Sequence, residues 1–171
     1  MAKIGLLSDS HGRTQTTLRA VDLLLEKSID VMLHLGDVGG VEVVDALAVE
    51  GLTDHPVESR LVFGNTDWDI PAMSTYAQTL GIIVDHPAGR LEIDGKHLAY
   101  CHGHIEADLD AALRDGVDYL CHGHTHRCTN ELHGSTRVIN PGALFRASRY
   151  TVAVLDTESG DVAVHEVPTA G

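Results

Sequence analysis

Lysine is scarce in this chain: Lys3, Lys27 and Lys96 are the only three in 171 residues. Lysine and arginine together number 12 against 25 aspartates and glutamates, a formal net charge of −13. So acidic a surface excludes bulk nucleic-acid binding, which needs cations to neutralise phosphates, and it favours solubility. Acid excess with little lysine resembles the proteins of salt-accumulating microbes, although an ordinary acidic bacterial protein shares it. Cysteine is equally rare. Cys101, Cys121 and Cys128 are odd in number and make no CxxC pair, which argues against a disulfide framework and against a thiolate zinc site. Cys101 and Cys121 each close an apolar run, so buried free thiols are expected. No apolar run is long enough to cross a bilayer. Asp9 follows the first apolar residues too soon for a signal peptide, so the expected location is the cytoplasm. Repeats, low-complexity tracts and linkers are also missing. A single domain over 1–171 is expected, with 168–171 as a loose tail.

What the chain has instead is histidine, 12 in all. Three of them crowd into Cys121-His122-Gly123-His124-Thr125-His126. Imidazole is the commonest metal-binding side chain, so the question is what meets these histidines in space.

The hydrophobic pattern places them. Lys3 to Ser8 reads as a buried strand running into Asp9-Ser10-His11-Gly12. Leu18, Val21, Leu24 and Leu25 recur at helical spacing within Thr14 to Lys27. A second strand, Ile29 to Leu35, ends in Gly36-Asp37, and Val41 to Val49 reads as a second helix. A third strand, Val57 to Phe63, ends in Gly64-Asn65-Thr66-Asp67. Three strands with crossover helices point to a mostly parallel sheet covered by helices. The second half differs. Gly89 to Ile93 and His97 to Tyr100, joined by Asp94-Gly95, form a hairpin signal that ends in Cys101-His102-Gly103-His104. Ile105 to Arg114 reads as a helix and Val117 to Leu120 as a strand. Four short alternating strands follow, Thr129 to Leu132, Thr136 to Ile139, Tyr150 to Leu155 and Asp161 to Val167. This half is expected to be richer in antiparallel pairing, with two sheets packed face to face and helices outside.

Ligands of open α/β sheets bind beyond the carboxyl ends of the strands. Asp9, His11, Asp37, Asn65, His102, His124 and His126 all follow a strand in this reading. Their mixture of oxygen and nitrogen suits Mn, Fe, Co, Ni or Zn. Seven ligands are too many for one ion and fit two that share a carboxylate. Asp9 and His11, two apart on a strand-like segment, point the same way by strand alternation.

Asp9-Ser10-His11, Gly36-Asp37, Gly64-Asn65, His102 and Gly123-His124-Thr125-His126 stand in the order of the calcineurin-like metallophosphoesterase signature. With Asn140-Pro141-Gly142, the chain resembles the small phosphodiesterase branch typified by YfcE and MJ0936. The resemblance runs from Lys3 to about Val167. It implies an α/β (or α+β) four-layer αββα sandwich of two mixed sheets, with the metals at the strand carboxyl ends. It implies two divalent ions, manganese first, with Ni, Co, Fe or Zn as alternatives. Asp9, His11 and His126 then hold one ion, Asn65, His102 and His124 the other, and Asp37 bridges them. The implied activity is hydrolysis of a small phosphate diester by in-line attack of a bridging water or hydroxide, with ions about 3.5–4 Å apart. The metal charge explains how an acidic protein takes an anionic substrate. Homodimers are common in the family, so a homodimer is an expectation. Alternatives are a non-catalytic scaffold like the retromer small subunit and a phosphomonoesterase of protein-phosphatase type.

One position departs from the pattern. Many family members carry His after Gly-Asn, where it assists the leaving group; this chain has Thr66. Activated diesters are therefore expected to turn over better than alkyl monoesters, with His104 as a substitute acid. Asp37, Asn65 and His104 are the catalytic candidates, and Asn65, Thr66 and His104 the substrate-binding ones. His122 is read as a loop support and His34 as a buried hydrogen-bonding residue. His55, His86, His97, His133 and His165 are read as surface residues. Asn140 shapes a turn or reaches the site. Arg146 and Arg149 reach a substrate phosphate or lie on the surface. Trp68 and Tyr76 pack in the core or line the cleft, the core being the first expectation.

Overall fold

A computed structural model describes residues 1–168. Residues 169–171 of the expected tail lie outside the described residues. Among the described residues, eleven strands form two sheets and four helices accompany them. In the first half these are β1 (Lys3–Leu7), α1 (Thr14–Leu25), β2 (Val31–Leu35), α2 (Val41–Ala46), β3 (Glu58–Val62), α3 (Ile70–Thr79) and β4 (Ile83–Val84). In the second half they are β5 (Ala88–Ile93), β6 (Lys96–Cys101), α4 (Glu106–Asp115), β7 (Tyr119–Cys121), β8 (Cys128–His133), β9 (Thr136–Pro141), β10 (Thr151–Asp156) and β11 (Val162–Glu166).

The first sheet runs β11-β10-β1-β2-β3-β4 and the second β5-β6-β7-β9-β8. Strand alternation explains why they stack. Ile4 and Leu6 of β1, Leu33 and Leu35 of β2, and Leu155 of β10 point inward against Leu98, Tyr100, Tyr119 and Ile139 of the second sheet. The intervening residues Leu7, Met32, Leu61 and Val154 point outward under α1, α2 and α3. Strands buried on both faces lose the polar half of their alternation and read as continuous apolar runs. A smaller core of Ala99, Leu120 and Val138 lies under Leu109, Ala112 and Leu113 of α4. The layers are helix, sheet, sheet, helix, the expected four-layer sandwich. Each fully buried Leu, Ile or Phe contributes roughly 1.5–3 kcal/mol, and most of that burial lies in the three cores between these four layers.

The structure settles details that the sequence reading left open and departs from it in a few. β10 and β11 do not extend the second sheet. β10 crosses back to pair antiparallel with β1, Lys3 opposite Asp156, and carries β11 with it. The second sheet is itself half parallel, through β6–β7 and β7–β9. Helix α2 stops at Ala46, because Leu47 and Val49 are buried from a turn instead. Helix α3 and β4 had no counterpart in the pattern. Only Met73 and Ala77 of α3 are buried, too narrow a stripe to register as periodicity. Trp68 is 71% exposed and Tyr76 37% exposed, so neither packs in the core. Tyr76 instead donates its hydroxyl to Asp45. All three cysteines are free, with Cys101 and Cys121 buried. Burial pushes the Cys101 thiol up to about 12, so it is inert.

Candidate metal centre

The parallel strands β1, β2 and β3 of the first sheet and β6 and β7 of the second end on the same side of the sandwich. Their loops meet there through backbone bonds. Asp9 N–H donates to Gly36 O at 3.0 Å, His11 N–H to Asp37 O at 2.9 Å, and Gly123 N–H to His102 O at 2.9 Å. Close approach explains the glycines. A Cβ on Gly64 would strike Asp37 Oδ1, and one on Gly123 would strike Ser8 Oγ.

The backbone that presents the ligands is left-handed. Asp9, His11, Asp37, His124 and His126 have φ between 45° and 67°, a region non-glycine residues seldom adopt. The alternation expected to align Asp9 with His11 is therefore the wrong reason. A left-handed turn, held by the neighbouring loop, aims both side chains into the cleft.

Two groups of ligand atoms converge: Asp9, His11 and His126, and Asp9, Asp37 and His102. His126 Nε2 lies 3.2 Å from Asp9 Oδ1. Asp37 Oδ2 lies 3.4 Å from His11 Nε2 and 3.4 Å from His102 Nε2, between the two groups. Asn65 Oδ1 is 3.1 Å from His102 Nε2. The His124 ring stands 5.1 Å from the His102 ring, outside both groups, while its backbone N–H donates to Asp9 Oδ2 at 3.1 Å. His104 stands beside them, 5.3 Å from His102 and 6.2 Å from His124 between ring centres. Asn65 and Thr66 are exposed at the rim.

This set fits a divalent cation. Asp9 Oδ1 and His11 Nε2 are buried and have no hydrogen-bond partner, yet they face each other at 4.0 Å. Buried polar atoms are almost always satisfied, and a carboxylate oxygen and an imidazole nitrogen left open together are a ligand pair. His102 Nδ1 is tied to Leu35 O at 2.8 Å. The carbonyl can only accept, so Nδ1 carries a proton and Nε2 is the nitrogen turned toward Asp37, the one that can ligate when deprotonated.

The charges are tuned in the same sense. Burial works against ionised Asp37, but bonds from His102 and the Thr66 N–H prevail and hold it far below the ordinary carboxylate range. Burial likewise opposes protonated His102, yet the bonds to Asp37 and Leu35 hold its pKa above the ordinary value. His104 is held below its ordinary value by burial and by the neighbouring His102 and His124.

The calcineurin-like phosphoesterase superfamily domain matches residues 2–160. The chain belongs to that family. The family match and its phosphodiesterase relative make the chain a phosphoric ester hydrolase, and the family implies divalent metal ions. The chain is 27% identical to phosphodiesterase MJ0936 of Methanocaldococcus jannaschii, over 91% of this chain and 93% of that protein. A structure of an archaeal phosphodiesterase superposes with a TM-score of 0.84 at 24% identity, covering 96% of this chain and 99% of that one. Vps29 of Entamoeba histolytica, solved with Zn2+, shares the fold at a TM-score of 0.63 and 18% identity, over 96% of this chain and 98% of that one.

Sequence reasoning about this family domain passed over one support, Asp67, and left the role of a second, Asn140, open. Asp67 accepts Gly64 N–H at 2.8 Å, Gly39 N–H at 2.8 Å and Val38 N–H at 3.1 Å, clamping the β3 loop to the β2 loop. Its place two residues after Asn65 was the available signal. Asn140 is fully buried and donates to Gly123 O at 2.9 Å and to Thr125 Oγ1 at 3.1 Å. It braces the His124–His126 loop from behind, so both readings of Asn140 meet in one residue. His122 stays out of the ligand groups, with Nδ1 3.1 Å from Gly123 O. Arg149 is drawn off to Glu166 at 3.8 Å. His34 is fully buried, as expected. Gly36 N–H reaches its Nδ1 at 3.3 Å, so its proton is on Nε2 and is donated to Ser10 Oγ at 2.8 Å.

Proposed function

We propose that the chain is a dinuclear metal-dependent phosphodiesterase acting on a small phosphate diester. The observation that carries this is the pair of ligand groups with Asp37 Oδ2 equidistant from His11 and His102. Asp9, His11 and His126 would hold one ion, and Asn65, His102 and His124 the other, with Asp37 between. When bound, the ions would supply positive charge to the scissile phosphate and an activated water.

The protein's own groups do the rest. Asp37 stays ionised at every working pH, so it offers two anionic oxygens in one buried position. The Leu35 carbonyl orients the His102 ring, and Asn140 steadies the loop that carries His124 and His126, which limits reorganisation during reaction. Asn65 and Thr66, exposed beside His102, face the substrate's non-leaving oxygens. His104 is exposed and not locked by a hydrogen bond, so its ring can turn to a leaving alkoxide, and its lowered pKa confines the acid role to the acidic side of neutrality. Because Thr66 stands where many family members carry the leaving-group histidine, activated diesters remain the best substrates, with His104 as the substitute acid for the others.

The test strips the protein of metals and adds back Mn, Ni, Co, Zn or Mg singly. An aryl diester is then compared with the matching monoester. Faster diester turnover with at least one metal is expected, and Asp37→Ala should lose metal and activity together. Faster monoester turnover would give the phosphatase reading. No hydrolysis with any metal would give the scaffold reading, which the likeness to Vps29 keeps in view. Two fully occupied ions in Asp37→Ala would remove Asp37 from the bridge.

A further inference from the structure

Cations are few in this protein, and several are already neutralised. Arg60 is paired with Glu58 and Asp85, Arg90 with Asp115, Lys96 with Asp118, and Arg149 with Glu166. Arg13 and Arg146 are different. Among the described residues neither has a carboxylate partner, and both guanidinium groups lie over one aromatic ring. Arg13 Cζ is 4.7 Å and Arg146 Cζ 5.1 Å from the centre of Phe145. That ring is in turn 5.1 Å from the ring of His11.

The arrangement is held in place. Arg13 directly follows the Asp9–Gly12 loop and opens α1. Phe145 and Arg146 lie on the β9–β10 loop, which is pinned to the end of β1 by Leu144 N–H donating to Ser8 O at 3.2 Å, with Leu144 fully buried. Two segments more than a hundred residues apart in sequence thus bring two arginines to the lip of the ligand cluster. Stacking on a ring orients a guanidinium without cancelling its charge. In a chain of net charge −13, two unpaired arginines at one ring are spare charge presented to an anion. The guanidinium fork matches phosphate bidentately. Stacked on Phe145, these groups address an anion beside the ligand cluster, not one seated within it.

We infer that Arg13, Phe145 and Arg146 form a second phosphate subsite, which selects diesters that carry a further phosphate near the scissile one. The inference rests on the diesterase reading of the neighbouring site. It narrows the substrate class to bisphosphorylated species such as a nucleoside with a second, terminal phosphate.

The test uses two substrates that release the same nitrophenolate: thymidine 5′-(4-nitrophenyl phosphate) and its 3′-phosphorylated counterpart. The metal-loaded wild-type protein should show a KM about tenfold lower for the second. In Arg13→Gln/Arg146→Gln that ratio should fall to about one, within the scatter of such contacts. A merely structural role would change both substrates alike and keep the ratio. An independent readout is calorimetric titration with adenosine 3′,5′-bisphosphate, whose affinity should weaken about tenfold in the double variant. Equal KM for both substrates in the wild type, or a ratio preserved in the variant, would overturn the subsite. If no substrate is hydrolysed with any metal, the diesterase reading fails and the titration decides. Arginine-dependent binding then upholds the subsite, and equal affinity in both proteins removes it.

Discussion

His104 lies two residues beyond the ligand His102, yet it is exposed while His102 is buried. On the proposed reading that contrast would separate a metal ligand from an acid: one imidazole is oriented by Leu35 and Asp37, and the other is exposed in the cleft. A positioned general acid is worth roughly 10²- to 10⁴-fold. The benefit is confined to leaving groups that need a proton. His104→Ala should therefore slow an alkyl-leaving diester by about 10²-fold or more and an aryl-leaving diester far less. Steady-state rates on the two substrates check this, and an unchanged alkyl rate and pH profile would strip His104 of the role. The role rests on place in the cleft, because nothing in Cys101-His102-Gly103-His104 distinguishes the two histidines.

At the level of elements, the site is a junction of loops that belong to different strands. Asp67 is the main clamp. One carboxylate accepts three backbone N–H groups, one from its own loop and two from the loop after β2. Hydrogen bonds to a charged acceptor are worth roughly 1.5–3 kcal/mol each, less where water can replace the partner. Asp67→Ala should cost about 2–4 kcal/mol in urea denaturation, and Asp67→Asn should recover part of it. Because Val38 is the neighbour of Asp37, the Ala variant should also bind metal more weakly, measured by competition with a chelator. A stability loss with unchanged metal affinity would show that the clamp supports the fold without orienting Asp37.

Across the whole molecule, the buried polar groups behind the site set how the fold responds to acid. His34 is fully buried, and burial, aided by nearby His102, pushes its pKa down to about 3 from an ordinary 6.5. The unfolded chain therefore takes up this proton first. Stability from His34 is complete above the unfolded value and is lost as pH falls from about 6.5 towards 3, at up to about 1.4 kcal/mol per pH unit. The carboxylate Asp37 has the same sign but acts only below its own ordinary value of 3.8. Between pH 7 and 5 the urea midpoint should fall, and His34→Gln should show a shallower fall. Parallel slopes in the two proteins would show that His34 is not the sensor.

The candidate ligands were legible in sequence because they cluster where an apolar run ends and a buried strand gives way to a polar loop. Order and residue type singled out Asp9, Asp37, Asn65 and His102, and the structure brings Asp9, Asp37 and His102 together. The helices α1 and α4 and the β5–β6 hairpin were legible for the same local reason, since their periodicity or turn chemistry lies within a dozen residues. Other features were not local. β10 joined the first sheet because its two apolar faces fit between helix α1 and the second sheet, a choice made by packing among distant strands. Asp67 and Asn140 became supports only when folding brought orphan N–H and C=O groups within their reach. The left-handed backbone at Asp9, His11 and Asp37 is imposed by the adjoining loops. The sequence alone determined which chemistry the strand ends carry. The tertiary structure decided which atoms face one another, because hydrogen bonds and charge depend on distances that no linear spacing contains.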